Sequence, residues 1–448
     1  MLQGLHRKMS GRVFGPVCLL IAGATWFLFS GDAERSEWAA ASRASLRRPT
    51  GSPQLVSIAP LPAMDGEMCE WVPASSSSRL VAALKQERMA AASSSDLPSE
   101  QVNRAPVRVI HDPYPTYSAV AVDPAREEIV LQDENLMQIL VYDRMTNTPP
   151  SATMSEPKRV IGGTNTHVEF NCGLYIDPAS GDIYSINNDM VDHMVVFSRN
   201  QEGNVPPSRM LHTPHRTFGI TVDEETQELY LTVEHPPQVV VYHKTASGED
   251  KPIRVMEGKS TQLEDAHGIA LDNKNQLMYV SNHGSTSDDG VPGSGRYEPP
   301  SITVYPLKAT GDTAPLRIIE GDKTQLNWPA QMALDVEHQE LFVANDTGNS
   351  VLVFRATDNG NAAPIRIIKG PKTGLKNPTG IYLDEKNNEV VVASMGNHSS
   401  TVYPRTANGD VAPLRTIRAA PLGKEAQMIG NPGAVGYDTK REEILVPN

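Results

Sequence analysis

The chain has 448 residues, a formal net charge of −13, and 40 Lys and Arg against 53 Asp and Glu. A chain this long exceeds what one compact core usually holds, and implies several domains or an array of repeats. Its basic residues are scattered, which leaves no electrostatic footprint for a polyanion and excludes nucleic acid as a partner.

Near the start, His6, Arg7, Lys8 and Arg12 precede an apolar run over residues 13–29, and Asp32 and Glu34 follow it. A basic flank before and an acidic flank after orient the chain outward. The 17-residue run suits a long signal-peptide core or a short membrane span, so cleavage after Ala33 and an uncleaved anchor over residues 13–29 both stand. Residues 1–33 thus predict export to the periplasm or the cell exterior, with the membrane met only through this segment. Residues 34–100 are rich in Ser, Ala and Pro and cannot bury enough apolar area to offset chain entropy; they are expected to be a disordered linker, with one short helix over 79–92 as its candidate element. Cys69 lies in this linker and Cys172 in a predicted strand, and both a disulfide and two separate thiols remain open.

From residue 101 to 448 a single unit recurs. A short apolar strand closes on Asp123, Asp177, Asp223, Asp272, Asp335, Asp384 and Asp438, seven copies spaced 46 to 63 residues apart. Gly173, Gly219, Gly268 and Gly380 stand four residues before four of them. A second apolar strand begins about six residues beyond each Asp. A third ends in Val-Tyr or Val-Phe, as at Val241-Tyr242 and Val353-Phe354, and a fourth carries Pro and then Arg108, Arg159, Arg209, Arg254, Arg317, Arg366 or Arg415. These strands are β-branched and aromatic, and no helical period follows residue 105. Four strands per unit at this spacing predict an all-β, seven-bladed β-propeller, because such units cannot cover their own apolar faces and must stack. The last unit breaks off at Asn448 after two strands. Residues 105–110, with Pro106 and Arg108, are expected to supply its fourth strand, so that strands from both termini close the ring and remove sheet edges. Residues 54–58 are the candidate third strand; a natural chain that continues past Asn448 is the alternative.

The segments Asn377-Pro378-Thr379-Gly380-Ile381-Tyr382-Leu383-Asp384 and Asn349-Ser350-Val351-Leu352-Val353-Phe354 resemble the NHL-type and YncE-like repeats of bacterial extracytoplasmic propellers, a group that includes virginiamycin B lyase-like proteins. The resemblance spans residues 101–448. It implies the fold and leaves function open, because related propellers are lactonases, lyases or binding scaffolds. In the strand order it implies, the Arg column falls on the outermost strand and is architectural, and the Asp column makes turns.

The same resemblance places on one face the loop into each first strand and the loop out of each second strand. Function is sought there, where the blades differ. Asp133, Asn187, Asn282, Asn345 and Asp346 are hard oxygen ligands of the kind Ca²⁺ accepts, similar to the Asn and acid set of calcium-dependent lactonase propellers; the alternative is that each Asn satisfies its own turn. His267 and His283 belong to one unit and are the candidate catalytic pair, as general base or metal ligand, since lyase propellers of the virginiamycin type also use His with acidic neighbours and a metal. Glu234, His235 and Asn282 are candidate binding residues beside them. An insertion over residues 284–300 adds Arg296 and Tyr297, as a lid over the mouth or as a surface excursion. No nucleophile triad, phosphate loop or spaced Cys/His motif is present. The expected function is therefore a monomeric, exported scaffold that binds a protein or small-molecule ligand in the cell envelope. The alternative is a metal-assisted lactone or ester hydrolase, or a lyase, with its site at the channel mouth.

Overall fold

A computed structural model of the chain describes residues 107–110, 117–133, 136–149, 151–152, 154–188, 191–286, 291–397, 399–418 and 435–446. The expected leader (1–33), the linker (34–100), Cys69 and the candidate strand at 54–58 lie outside the described residues. Among the described residues, no helix is long and apolar enough to cross a membrane.

The protein is an all-β propeller. Blade 1 holds β1 (Tyr117–Asp123), β2 (Glu128–Asp133), β3 (Gln138–Asp143) and β4 (Arg159–Gly162). Blade 2 holds β5 (Asn171–Ile176), β6 (Ile183–Asn187), β7 (His193–Phe197) and β8 (Arg209–His212). Blade 3 holds β9 (Thr217–Asp223), β10 (Glu228–Val233), β11 (Gln238–His243) and β12 (Arg254–Glu257). Blade 4 starts with β13 (Ala266–Asp272) and β14 (Leu277–Asn282), is interrupted by a small hairpin of β15 (Ser285–Thr286) and β16 (Arg296–Tyr297), and resumes with β17 (Ser301–Pro306) and β18 (Arg317–Glu320). Blade 5 holds β19 (Pro329–Asp335), β20 (Glu340–Asn345), β21 (Ser350–Arg355) and β22 (Arg366–Ile368); blade 6 holds β23 (Pro378–Asp384), β24 (Glu389–Ser394), β25 (Ser399–Pro404) and β26 (Arg415–Arg418). These six four-stranded antiparallel meanders are followed by a two-stranded sheet of β27 (Gly436–Asp438) and β28 (Glu443–Leu445).

The core lies between blades. One cluster joins Phe342 and Val353 of blade 5 to Val390, Val392 and Tyr403 of blade 6; others join blades 4 and 5 through Tyr279, Ile302, Leu341 and Phe354, and blades 3 and 4 through Tyr230, Met256, Met278 and Tyr305. Each such side chain stabilises the fold by roughly 1.5–3 kcal/mol on burial, so a blade gains its stability from its neighbours.

The Asp column makes turns, as its chemistry suggested. In all seven copies a carboxylate oxygen accepts a backbone amide two or three residues on, as Asp123 does from Ala125 and Arg126, and Asp438 from Lys440 and Arg441. The Arg column is architectural too. Arg159, Arg254, Arg366 and Arg415 each reach the Glu that heads the second strand of their own blade: Glu128 (2.8 Å), Glu228 (3.0 Å), Glu340 (2.7 Å) and Glu389 (2.9 Å). In blade 4 Leu277 stands in place of that Glu and in blade 2 the shorter Asp182 does, and there the arginines turn to the next blade: Arg209 to the Lys244 and Ala246 carbonyls, Arg317 to that of Ala356.

The last sheet departs from expectation. It has two strands, and residues 107–110 of the expected fourth strand form no ladder, because no third strand stands beside them among the described residues. Arg108 nevertheless pairs with Glu443, which heads β28. Arg144 of blade 1 reaches Asp438 at 2.6 Å, and Thr148 donates to the Val109 carbonyl at 2.7 Å. On the other side Tyr437 stacks on Tyr382 (4.9 Å between centroids) and donates to Asp384 at 2.6 Å, so the small sheet touches both blade 6 and blade 1.

Candidate functional site

On one face the chain turns into the first strands of blades 3 to 6 through a residue in the left-handed region: Arg216 (φ 60°), Asp265 (φ 56°), Trp328 (φ 53°) and Asn377 (φ 46°). Such a conformation costs a non-glycine residue on the order of 1–3 kcal/mol and persists only where the surroundings enforce it. Here the enforcing contact is a backbone bond. The carbonyls of these four residues accept amides from Glu234, His283, Asp346 and Met395, the residues just past the second strands, at 2.9–3.1 Å.

Blade 4 concentrates the ionisable groups. His267 lies in β13, where a bulge between Ala266 and Ile269 shifts the register, and blade 3 grips it. Thr232 Oγ1 accepts the Gly219 amide and donates to the His267 carbonyl at 2.7 Å. Only glycine fits at 219, since a Cβ there would lie 2.5 Å from that carbonyl. Gly268, Ser281 and the Ala330 carbonyl repeat the device toward blade 5. The imidazoles of His267 and His283 stack at 3.5 Å between centroids and 16° between planes. Phe218 extends the stack on one side (4.4 Å) and Trp328 on the other (5.3 Å), giving a row of four rings across three blades.

Around this row sit the carboxylates. Asp265 Oδ1 is 3.4 Å from His267 Nδ1 and its Oδ2 is 3.9 Å from His283 Nδ1; His235 Nε2 lies 3.7 Å from Oδ1, and Glu234 Oε1 lies 3.5 Å from His267 Nε2. Burial pushes the Asp265 carboxyl up to about 7, with Arg216 opposing and Glu264 reinforcing. Burial pulls His267 down to about 4 and His283 down to about 2, the latter also through the adjoining His267 imidazole, which disfavours a second positive charge. Both imidazoles are therefore neutral at pH 7, the form that accepts a proton or holds a metal, while Asp265 sits near its midpoint.

The expected site residues divide. His267, His283, Glu234 and His235 come together, and the two histidines are held largely out of solvent. His267 is a strand residue whose side chain is 14% exposed, and His283 is 9% exposed. Arg296 and Tyr297 sit on the exposed hairpin, Tyr297 at 71% exposure, and Arg296 pairs with Glu298. The oxygens of the expected ligand set are engaged in local hydrogen bonds. The amide oxygens of Asn187, Asn282 and Asn345 accept backbone amides of Glu169 (2.9 Å), Glu264 (3.1 Å) and Asn327 (2.7 Å), so each braces the loop into its own blade. Asp133 accepts the Leu136 amide at 2.8 Å, and Asp346 accepts from the Asn377 side chain at 2.9 Å.

Sequence reading missed Asp265, the carboxylate at the centre, and Trp328, which closes the row. Both stand two residues ahead of the column that contains His267 and Ala330. The only signal for them was that offset, which the bulge of β13 conceals.

A family model described as "Lactonase, 7-bladed beta-propeller" matches residues 192–366, a span that holds every residue of this cluster. No curated protein matches the chain. Among solved structures, Kuenenia stuttgartiensis hydrazine synthase is similar, with a TM-score of 0.53 and 10% identity over 77% of this chain and 98% of that one. At that identity the likeness is one of fold alone.

Proposed function

We propose that this protein is a seven-bladed propeller of the NHL/YncE-like kind, closed by strands from both termini, that serves as an exported binding scaffold whose ligand enters the mouth formed by blades 3, 4 and 5. The observation that carries the site is the convergence of Asp265, His267 and His283, ionisable groups held almost out of water between two aromatic side chains. Buried titratable groups with displaced pKa values concentrate at sites that bind or react. For the ring, the supporting observation is the Arg108–Glu443 pair, which repeats the Arg–Glu bond of blades 1, 3, 5 and 6 with its arginine drawn from the N-terminal side. Export, with residues 13–29 as cleaved signal or retained anchor, belongs to the same proposal.

A second reading is favoured by the family match over residues 192–366. In it the protein hydrolyses a lactone or ester, with a neutral imidazole of the cluster taking the proton of the attacking water. One experiment separates the two. Purified protein and a His267→Gln/His283→Gln variant are offered a panel of lactones, esters and peptides. Saturable binding without turnover, lost in the variant, fits the scaffold; turnover lost in the variant fits the hydrolase; binding or turnover that the variant keeps contradicts the site.

A further inference from the structure

We propose that Asp265, His267 and His283 hold one divalent transition-metal ion of the Zn²⁺ class, through one carboxylate oxygen and the Nδ1 atoms of the two imidazoles. The inference deepens the binding-mouth reading and rests on it. The potential ligand atoms all lie within 4.8 Å of one another, with His267 Nδ1 3.4 Å from Asp265 Oδ1 and His283 Nδ1 3.9 Å from Oδ2, so the carboxylate turns one of its oxygens to the ion. A tetrahedral ion with bonds of about 2.0–2.2 Å needs its ligand atoms about 3.3 Å apart. A bound ion lies in the plane of each imidazole that holds it, so His283 must tilt out of the stack with His267 to bring both Nδ1 atoms, which already face the Asp265 carboxylate, onto one point. The ion takes the place of the contact between His267 Nδ1 and the main-chain carbonyl of Asp265 (3.0 Å).

The outer groups agree. With Nδ1 on the ion, the ring proton of His267 sits on Nε2, facing Glu234 Oε1 at 3.5 Å, and a carboxylate in that place is the usual partner of a metal-bound imidazole. His283 Nε2 is buried and has no hydrogen-bond partner among the described residues, so no protein group there dictates which nitrogen carries the proton. Two nitrogens and one oxygen select Zn²⁺, Co²⁺, Ni²⁺ or Cu²⁺ rather than Ca²⁺ or Mg²⁺, which replaces the calcium expected from the Asn residues. Three protein ligands leave a position for water or for a group of the ligand. The competing imidazole cluster is the row of His167, His193 and His212 on blade 2, with centroids 6.4 and 5.4 Å apart, which serves as the control.

The test uses the tag-free full chain, stripped by a chelator and titrated separately with Co²⁺, Zn²⁺ and Ca²⁺. We expect one equivalent of Co²⁺ to bind with visible ligand-field absorption and quenching of Trp328, Zn²⁺ to displace it, and Ca²⁺ at the same concentrations to do neither. Asp265→Asn and His283→Gln should weaken Co²⁺ binding by on the order of 100-fold, and Glu234→Gln, which spares every ligand, by on the order of 10-fold. His193→Gln should bind as the wild type does. Near-ultraviolet circular dichroism checks that each metal-free variant is folded, and Glu234→Gln carries the test if a ligand variant is not. Failure of the wild type to take up Co²⁺ or Zn²⁺ overturns the proposal, as does wild-type affinity in the folded ligand variants or its loss in His193→Gln. If no metal binds but an organic ligand still changes Trp328 emission, the metal site alone is overturned; if neither acts, the binding mouth falls with it.

Discussion

The hydroxyl of Thr232 donates to the main-chain carbonyl of His267 at 2.7 Å, so the blade before the site fixes the backbone of the residue at its centre. Replacing Thr232 by Val keeps the shape and removes both of its bonds, leaving the Gly219 amide and the His267 carbonyl without the hydroxyl that joins them. A loss of about 1–3 kcal/mol in urea unfolding is expected, together with weaker binding at the mouth. Gly219→Ala should cost at least as much, because its Cβ meets that carbonyl at 2.5 Å, whereas Gly203→Ala meets nothing within 4 Å and should cost only its backbone strain. Equal losses at the two glycines would contradict this account of the blade contact.

Asn282 is a brace. Its side chain is fully buried, accepts from Glu264 and donates to Ser301 and Thr303 at 3.2 and 3.1 Å. Asn282→Ala should therefore lower stability by about 1–3 kcal/mol, equally with and without Ca²⁺ in a thermal melt. A deficit present only when Ca²⁺ is supplied would restore the amide as a cation ligand.

Acid should weaken the blades through their Arg–Glu pairs. Burial alone would raise Glu128, but Arg159 and Lys158 outweigh it and hold the group at about 2; Arg254, followed by Lys308, holds Glu228 at about 2 against its burial. Both folded values lie below the ordinary 4.5, so their stabilisation is complete above that pH and is lost as pH falls from 4.5 towards 2. Urea unfolding between pH 5 and 2.5 should show this decline, and Glu128→Gln/Glu228→Gln should flatten it. An equally steep decline in the double variant would assign the acid sensitivity elsewhere.

The closing seam gives a coupling experiment. Arg108→Ala and Glu443→Ala, made singly and together, should show a favourable interaction of about 0.5–3 kcal/mol in the double-mutant cycle, as residues of one ion-pair network do. Strict additivity would mean that residues 107–110 do not stabilise the last sheet.

The architecture was legible wherever a residue acts on its near neighbours. Each Asp makes its turn within three residues, so seven copies in sequence became seven turns in space. The Arg column showed its position and not its purpose, because the paired glutamate stands 26 or 31 residues earlier. The Asn column was ambiguous for a similar reason, since an amide oxygen suits a backbone amide as well as a cation. His267 and His283 were legible as residues, but their surroundings were not. A bulge in β13 and the bond from Thr232 set them in a buried stack, and neither leaves a mark in residue spacing. Asp265 escaped because its left-handed backbone is imposed by the His283 amide, a contact across the blade.

The central claim is that the mouth of blades 3 to 5 is where this protein meets its ligand, and Trp328 can report on it directly. It is the only tryptophan after residue 71, it is 43% exposed, and it stacks 5.3 Å from His283. Its emission is followed while the full chain is titrated with lactones, esters and peptides. We predict a saturable change for one of these classes, lost in Trp328→Phe and strongly weakened in Asp265→Asn. Saturable binding by calorimetry that leaves Trp328 emission unchanged and survives Asp265→Asn would place the ligand elsewhere on the propeller and contradict the claim.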